Sequence, residues 1–261
     1  MKKPKVLAYV SSATRVPHVE GGSHETGVYL GELVEPLMPL HEAGYEIDFI
    51  SPDGNTATID PSSLSLSLWG LSKKKRQKAL DFLDTLNSLG LAKPMKLSDL
   101  LKDQQKLETY NVLFIPGGHA PMTDILHKNW LESDELNAET GELLQHFHDN
   151  NKITSMICHG PAALGAAPVI DGKWIYDGYK MTCVPMFAEW LTEDKPLMKN
   201  TGGHMPDYPK KLLKRNGGDM KNTLMGRSLV IEDRELLTGQ DPFAAKELGK
   251  KLKAKIERAM V

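Results

Sequence analysis

Cysteine is scarce in this chain, with two in 261 residues. So few cannot build a disulfide framework. They point to a reducing compartment, the cytoplasm, where Cys158 and Cys183 are free thiols. Long apolar runs are also missing. No window approaches the length of a membrane span, and Val6 to Val10, behind the basic start, is too short for a signal peptide. Neither sign of charge dominates: 32 Lys and Arg nearly balance 34 Asp and Glu. No global field draws the protein to nucleic acid or to an anionic membrane. The basic run Lys73 to Arg76 reads as the solvated start of a helix. No internal repeat or low-complexity tract is visible. The length allows one large domain or two small ones, with a substantial core.

What is present is an alternation of strands and helices. Lys5 to Val10 is nearly all apolar, as in a parallel strand buried on both faces. Glu25 to Ala43 carries apolar residues at 30, 33, 34, 37 and 40, a helical spacing. Pro36 and Pro39 lack the N–H such a helix needs, which predicts a kink or a fresh start near Pro36. Glu46 to Ile50 is a second strand. Residues 55–107 break the alternation and read as an insertion or lid, with one helix over Lys73 to Leu89. Tyr110 to Ile115 runs as a strand into the loop Gly117-Gly118-His119. Asp134 to Asn150 is an amphipathic helix. A strand ends at Cys158, and a small-residue helix follows. Trp174 to Val184 suggests a hairpin, and Pro185 to Leu191 a turn or short helix. Leu229 to Leu237 holds two short strands, and Asp241-Pro242 opens a final helix. The pattern predicts an α/β fold, a doubly wound and mostly parallel sheet flanked by helices.

In such sheets the carboxyl ends of the strands carry the site, and Cys158 falls at one of them. A lone cysteine reads either as a small buried hydrophobe or as a nucleophile. A strand turning sharply into a helix is the geometry of a nucleophile elbow, with Cys158 at the apex. A helix N-terminus would lower the thiol pKa from about 8.5 toward about 4–7. An exposed thiol of that kind would also oxidise readily. Gly117-Gly118 is either an ordinary turn or, with the N–H groups of Gly118 and His159, an oxyanion hole. Glu32 is either solvated or a half-buried carboxyl with a raised pKa, able to trade a proton. His18, His24 and His204 lie in loops that could edge the pocket, with nothing in the sequence to fix them there.

Taken together these motifs resemble the ThiJ/PfpI superfamily, of class I glutamine amidotransferase-like, flavodoxin-like fold. They are Thr26-Gly27-Val28 with Glu32 and Pro36, Ile115 to His119, Ile157 to Ala163, Asp177 to Lys180, and Leu237 to Gly249. Within the superfamily the chain is similar to the HchA-like chaperone and glyoxalase III branch. The resemblance implies one domain over 1–261 with 55–107 as its lid. It implies Cys158 as nucleophile with His159 as partner, Glu32 as the acid on the thiol, and Glu189 as the acid orienting the histidine. The bacterial branch has aspartate at this last position. A family metal site would use His41 and Glu46, but the third position is Asn87, a poor zinc ligand. No metal and no cofactor is therefore expected. The implied activity is glutathione-independent conversion of the reactive dicarbonyl methylglyoxal to lactate, formally that of a D-lactate dehydratase. Removal of early glyoxal adducts from proteins goes with it. A chaperone that holds unfolded proteins, exposing apolar surface of the 55–107 segment (Leu66, Leu68, Trp69, Leu71) when it moves, is the first alternative, and a cysteine amidase or peptidase the second. Family members are commonly homodimers.

Overall fold

The computed structural model describes residues 3–194, 201–224 and 226–260. Its centre is a seven-stranded sheet. From one edge to the other the strands are Val230–Asp233, Leu236–Gly239, Ile153–Ile157, Val112–Ile115, Lys5–Tyr9, Glu46–Ser51 and Met95–Lys96. Six run parallel, and Val230–Asp233 pairs antiparallel at its edge. The chain moves outward from Lys5–Tyr9 on one side and then returns to build the other. This reversal opens a crevice beside Lys5–Tyr9 and Val112–Ile115, at the carboxyl ends of the strands.

Alternation along the first strand explains both layers. Val6 and Ala8 face a core shared with Leu33, Leu37, Phe82, Leu248 and Leu252. Leu7 and Tyr9 face the opposite core, with Leu97, Leu143, Leu144 and Phe147. Both faces are apolar because both are covered by helices. On the first face lie the helices Leu30–Glu42, Lys73–Leu86 and Ala245–Ala259. On the second lie Leu97–Lys102 and Ala138–Asp149. Each buried leucine contributes about 1.5–3 kcal/mol to stability. Among the described residues no helix is long and apolar enough to cross a membrane.

Several sequence expectations shift. The expected break at Pro36 is absent, since Leu30–Glu42 is one helix containing both prolines. Packing on both sides overrides the local preference. At Gly249 the final helix comes so close that a Cβ would lie 2.8 Å from Pro36 Cα. The helix read from Asp134 starts at Ala138, where the Asn137 side chain accepts from the Thr140 N–H. The helix expected after Cys158 is a 3-10 segment, Gly160–Ala166. The hairpin over Trp174 to Val184 does not form. Lys180–Met181 instead pairs in parallel with Asp219–Met220, far along the chain. Within 55–107, only the first part borders the crevice. The helix Lys73–Leu86 packs into the core, and Met95–Lys96 completes the sheet edge.

Candidate active site

The Ile153–Ile157 strand delivers Cys158 in a left-handed conformation, with φ +59°. A non-glycine residue there carries strain of about 1–3 kcal/mol. Two backbone hydrogen bonds hold it. The Cys158 N–H donates to Gly239 O at 3.0 Å, and its carbonyl accepts from Val184 N–H at 3.1 Å. The elbow read from the sequence is therefore a feature of the backbone.

His159 folds back on the thiol, with Nδ1 3.4 Å from Cys158 Sγ. Its Nε2 lies 2.7 Å from Glu189 Oε1, in contact but off the line of a straight hydrogen bond. Glu189 sits on the helix Met186–Glu193 and is buried. Burial alone would raise its pKa, but His159 and His119 outweigh it and hold it far below the usual carboxylate range. The carboxylate thus favours the His159 tautomer with its proton on Nε2. That leaves Nδ1 free to accept the thiol proton. Burial keeps His159 itself below the ordinary histidine value, so it is a neutral base at pH 7. The longer glutamate, in place of aspartate, reaches the histidine without difficulty. Its second oxygen stands 3.5 Å from His119 Nε2.

Glu32 is fully buried and faces the thiol and the Gly117 N–H. Neither of its oxygens makes a well-aligned hydrogen bond. Burial raises its pKa to about 8, and the carboxylates of Asp241 and Asp60 push the same way. At neutral pH it is a protonated acid. Gly117 makes this approach possible. A Cβ there would collide with Glu32 Oε2 and lie 2.7 Å from Cys158 Cβ. We expect Gly117→Ala to lower activity about 100-fold by displacing both groups and to cost about 1–3 kcal/mol of stability. Initial rates together with thermal denaturation check both numbers.

The expected low thiol pKa is not found. Burial pushes Cys158 well above the ordinary thiol value, and the negative charges of Glu32 and Glu189 add to it. The helix meant to lower it is a single 3-10 segment of seven residues, whose dipole is weak. A thiol that is 7% exposed and protonated is also a poor target for peroxide. A nucleophilic attack from this thiol would require proton transfer to His159.

Gly118 and His159 both line the pocket above Cys158, which has a volume of about 490 Å³. Neither backbone N–H donates to a described residue, so both are available to an oxyanion. Asp60 and Asp241 also line the pocket, with Tyr29 and Phe243. Sequence reading missed both aspartates as site residues. The only available signal was an Asp-Pro turn at each, Asp60-Pro61 and Asp241-Pro242. Of the loop histidines, His24 and His18 join the site through His119, as described below. His204 pairs instead with Glu20 and with Asp194, the latter at 2.9 Å.

His41 and Glu46 lie at the opposite end of the sheet from Cys158. His41 packs on the Phe82 ring, with centroids 5.5 Å apart. Glu46 pairs with Lys5 at 2.9 Å. With Asn87 as third donor, this set does not fit a zinc ion, and no step runs through one. Among the described residues, the one group of three His, Cys, Asp or Glu side chains that converge is His119, His159 and Glu189.

A cysteine at a strained strand end, a histidine beside it and two buried carboxyls on a doubly wound sheet define the cysteine-elbow class of α/β proteins. Comparison with known proteins narrows the class. The profile described as "ThiJ/PfpI family-like" matches residues 24–195. The chain belongs to the ThiJ/PfpI family. It is similar to the protein/nucleic acid deglycase HchA of Escherichia coli O7:K1 (strain IAI39 / ExPEC), with 31% identity over 249 residues. That match covers 95% of this chain and 79% of the relative. Among solved structures it is similar in fold to glyoxalase III from Candida albicans, with TM-score 0.75, 21% identity and 96% of each chain covered. It is similar in fold also to the Rapid Encystment Protein 24 KDa of Francisella tularensis. There the TM-score is 0.75 and identity 22%, over 96% of this chain and 98% of that one.

Proposed function

We propose that this protein is a glutathione-independent glyoxalase that converts methylglyoxal to lactate. The observation that carries the reading is the placement of Cys158 Sγ between a neutral base and a neutral acid. His159 Nδ1 stands on one side, and the carboxyl of Glu32 on the other.

The reaction follows from these protonation states. Cys158 Sγ bonds to the aldehyde carbon C1 as its proton passes to His159 Nδ1. Glu32 gives its proton to the C1 oxygen, which the Gly118 and His159 N–H groups stabilise. The product is a hemithioacetal, and Glu32 is now a carboxylate. It takes the C1 hydrogen while His159 protonates the C2 oxygen, giving an enediol. Glu32 then returns a proton to C2, and the C1 hydroxyl proton goes to His159, leaving a lactoyl thioester. Water attacks C1 and gives a proton to Glu32. The C–S bond breaks, and the sulfur recovers its proton from His159. The acid and base roles rest on two groups whose environments set their pKa values apart.

A second reading is supported by the pocket. At about 490 Å³, with Leu68 and Phe243 exposed along it, it is far larger than a three-carbon dicarbonyl needs. The same thiol could draw the dicarbonyl from an adduct on a protein side chain, as the name of the deglycase relatives suggests. Residues 60–68 would serve as the lid, and a homodimer is the assembly we expect. The test is lactate formation from methylglyoxal without glutathione. Lactate formed at a rate proportional to protein supports the reading. No lactate above the uncatalysed level would sink it.

A further inference from the structure

Three histidines outside the catalytic set form an unbroken file behind Glu189. Glu189 Oε2 lies 3.5 Å from His119 Nε2. His119 Nδ1 lies 2.8 Å from His24 Nε2. His24 Nδ1 lies 2.8 Å from His18 Nε2. His119 and His24 therefore each present one nitrogen to the neighbour before them and the other to the neighbour after, and His18 presents Nε2 inward. The residues come from two connections at the sheet's carboxyl edge, with His24 on the short strand Ser23–Glu25. His18 and His24 follow the first strand, and His119 follows the fourth in chain order. The His159 and Glu189 side chains are 4% and 3% exposed, and that of His119 is 17%. His24 is buried, and His18 is half-exposed. A second cleft, of about 360 Å³, is lined by His119 together with His24, Asp60 and Thr201. His119 is thus a wall shared by the catalytic pocket and this cleft.

We propose that His119, His24 and His18 are a proton relay that connects the buried Glu189–His159 pair with solvent. The chemistry gives such a route a use. Methylglyoxal and water yield lactic acid, which ionises to lactate, so one proton must leave the buried site in each turnover. His159 takes that proton and passes it through Glu189 to His119 Nε2. His119 releases its Nδ1 proton to His24 Nε2. His24 releases its Nδ1 proton to His18 Nε2, and His18 gives its own to water. No bond other than N–H and O–H forms or breaks. The file changes from one uniform tautomer to the other and can carry a proton in either direction. The resting charges suit this use. Burial and the neighbouring histidines lower His24 to about 3, so the middle station does not trap a proton. Burial pulls His119 down as well, but the contact with Glu189 outweighs it and raises His119 above the ordinary histidine value, so it takes up a proton readily.

An isolated structural role for these rings would predict loss of stability and little else. A relay predicts slowed proton exchange with the core left in place. The role in turnover rests on the glyoxalase reading, whereas the exchange does not. The experiment uses the full chain labelled with 15N-histidine, comparing wild type with His24→Leu and the more conservative, half-exposed His18→Gln. The first readout is the rate at which the His119 and His159 ring N–H protons exchange with water. We expect it to fall about tenfold or more in both variants, with Cys158 alkylation by iodoacetamide unchanged. Unchanged exchange in His18→Gln and in whichever other variant folds would overturn the relay, whatever the activity. The second readout is kcat for lactate formation, expected to fall about tenfold and to recover in part when free imidazole is added. Slowed exchange with unaltered kcat would also overturn it as a route for the product proton. A wild-type protein that makes no lactate would refute the glyoxalase reading and leave the exchange rates to judge the relay.

Discussion

Cys158→Ser is expected to reduce lactate formation from methylglyoxal by about 1,000-fold or more, with the fold intact. The substitution changes one atom. Serine accepts the same φ of +59°, and the two backbone bonds that hold the elbow do not involve the side chain. What changes is acidity. The thiol already sits above its ordinary pKa because it is buried among carboxyls. In the proposed reaction it attacks because sulfur is strongly nucleophilic and its proton can reach His159 Nδ1. A hydroxyl starts several units higher and faces the same weak base, whose own pKa burial lowers. The oxyanion donors remain and leave a residual rate above water. Far-ultraviolet circular dichroism and melting should be unchanged. Loss of structure in the variant would mean that Cys158 packs rather than reacts.

Glu32→Gln should do two opposite things. Lactate formation should fall about 100-fold to 10,000-fold, because an amide cannot exchange the proton between C1 and C2. Stability should rise, and the pH window is set by the shift. The carboxyl titrates near 4.5 when unfolded and at about 8 when folded. Between those values the native state binds the extra proton, so native stability falls as pH rises. Below about pH 4.5 both states are protonated and the penalty is absent. Above about pH 8 it is complete. Glutamine fits the same space without a charge to bury. The variant should match wild type near pH 4.5 and exceed it at pH 8 by on the order of 2–4 kcal/mol. Melting temperature against pH reads this directly. Equal stability at pH 8 would mean that Glu32 is ionised at no cost, and its role as the resting acid would fall.

The backbone of this account was legible in the chain because it is local. Cys158 and His159 are adjacent, and the apolar strand and small residues around them announce the elbow. The near-continuous apolar strands announced a sheet covered on both faces. Glu32 and Glu189 needed the family resemblance, since each comes from a helix far from Cys158 in sequence. What stayed hidden depends on where loops meet. Asp60, Asp241 and the file of histidines converge only because parallel strands place their carboxyl ends side by side. No periodicity in the sequence encodes that meeting. The misread hairpin has the same cause, since Lys180–Met181 finds its partner about forty residues on, at Asp219–Met220. The thiol pKa was misjudged for another reason. The helix expected to lower it is a short 3-10 segment, and the burial of Cys158 beside Glu32 was not legible.

The central claim is a covalent bond between Cys158 and the dicarbonyl. The direct measurement is peptide mass spectrometry after a rapid acid quench of wild-type protein mixed with methylglyoxal. The account predicts one added methylglyoxal mass on the peptide that holds Cys158, present while substrate lasts, gone once lactate has formed, and absent from Cys158→Ser. Adducts confined to surface lysines and arginines while lactate forms at full rate would contradict it.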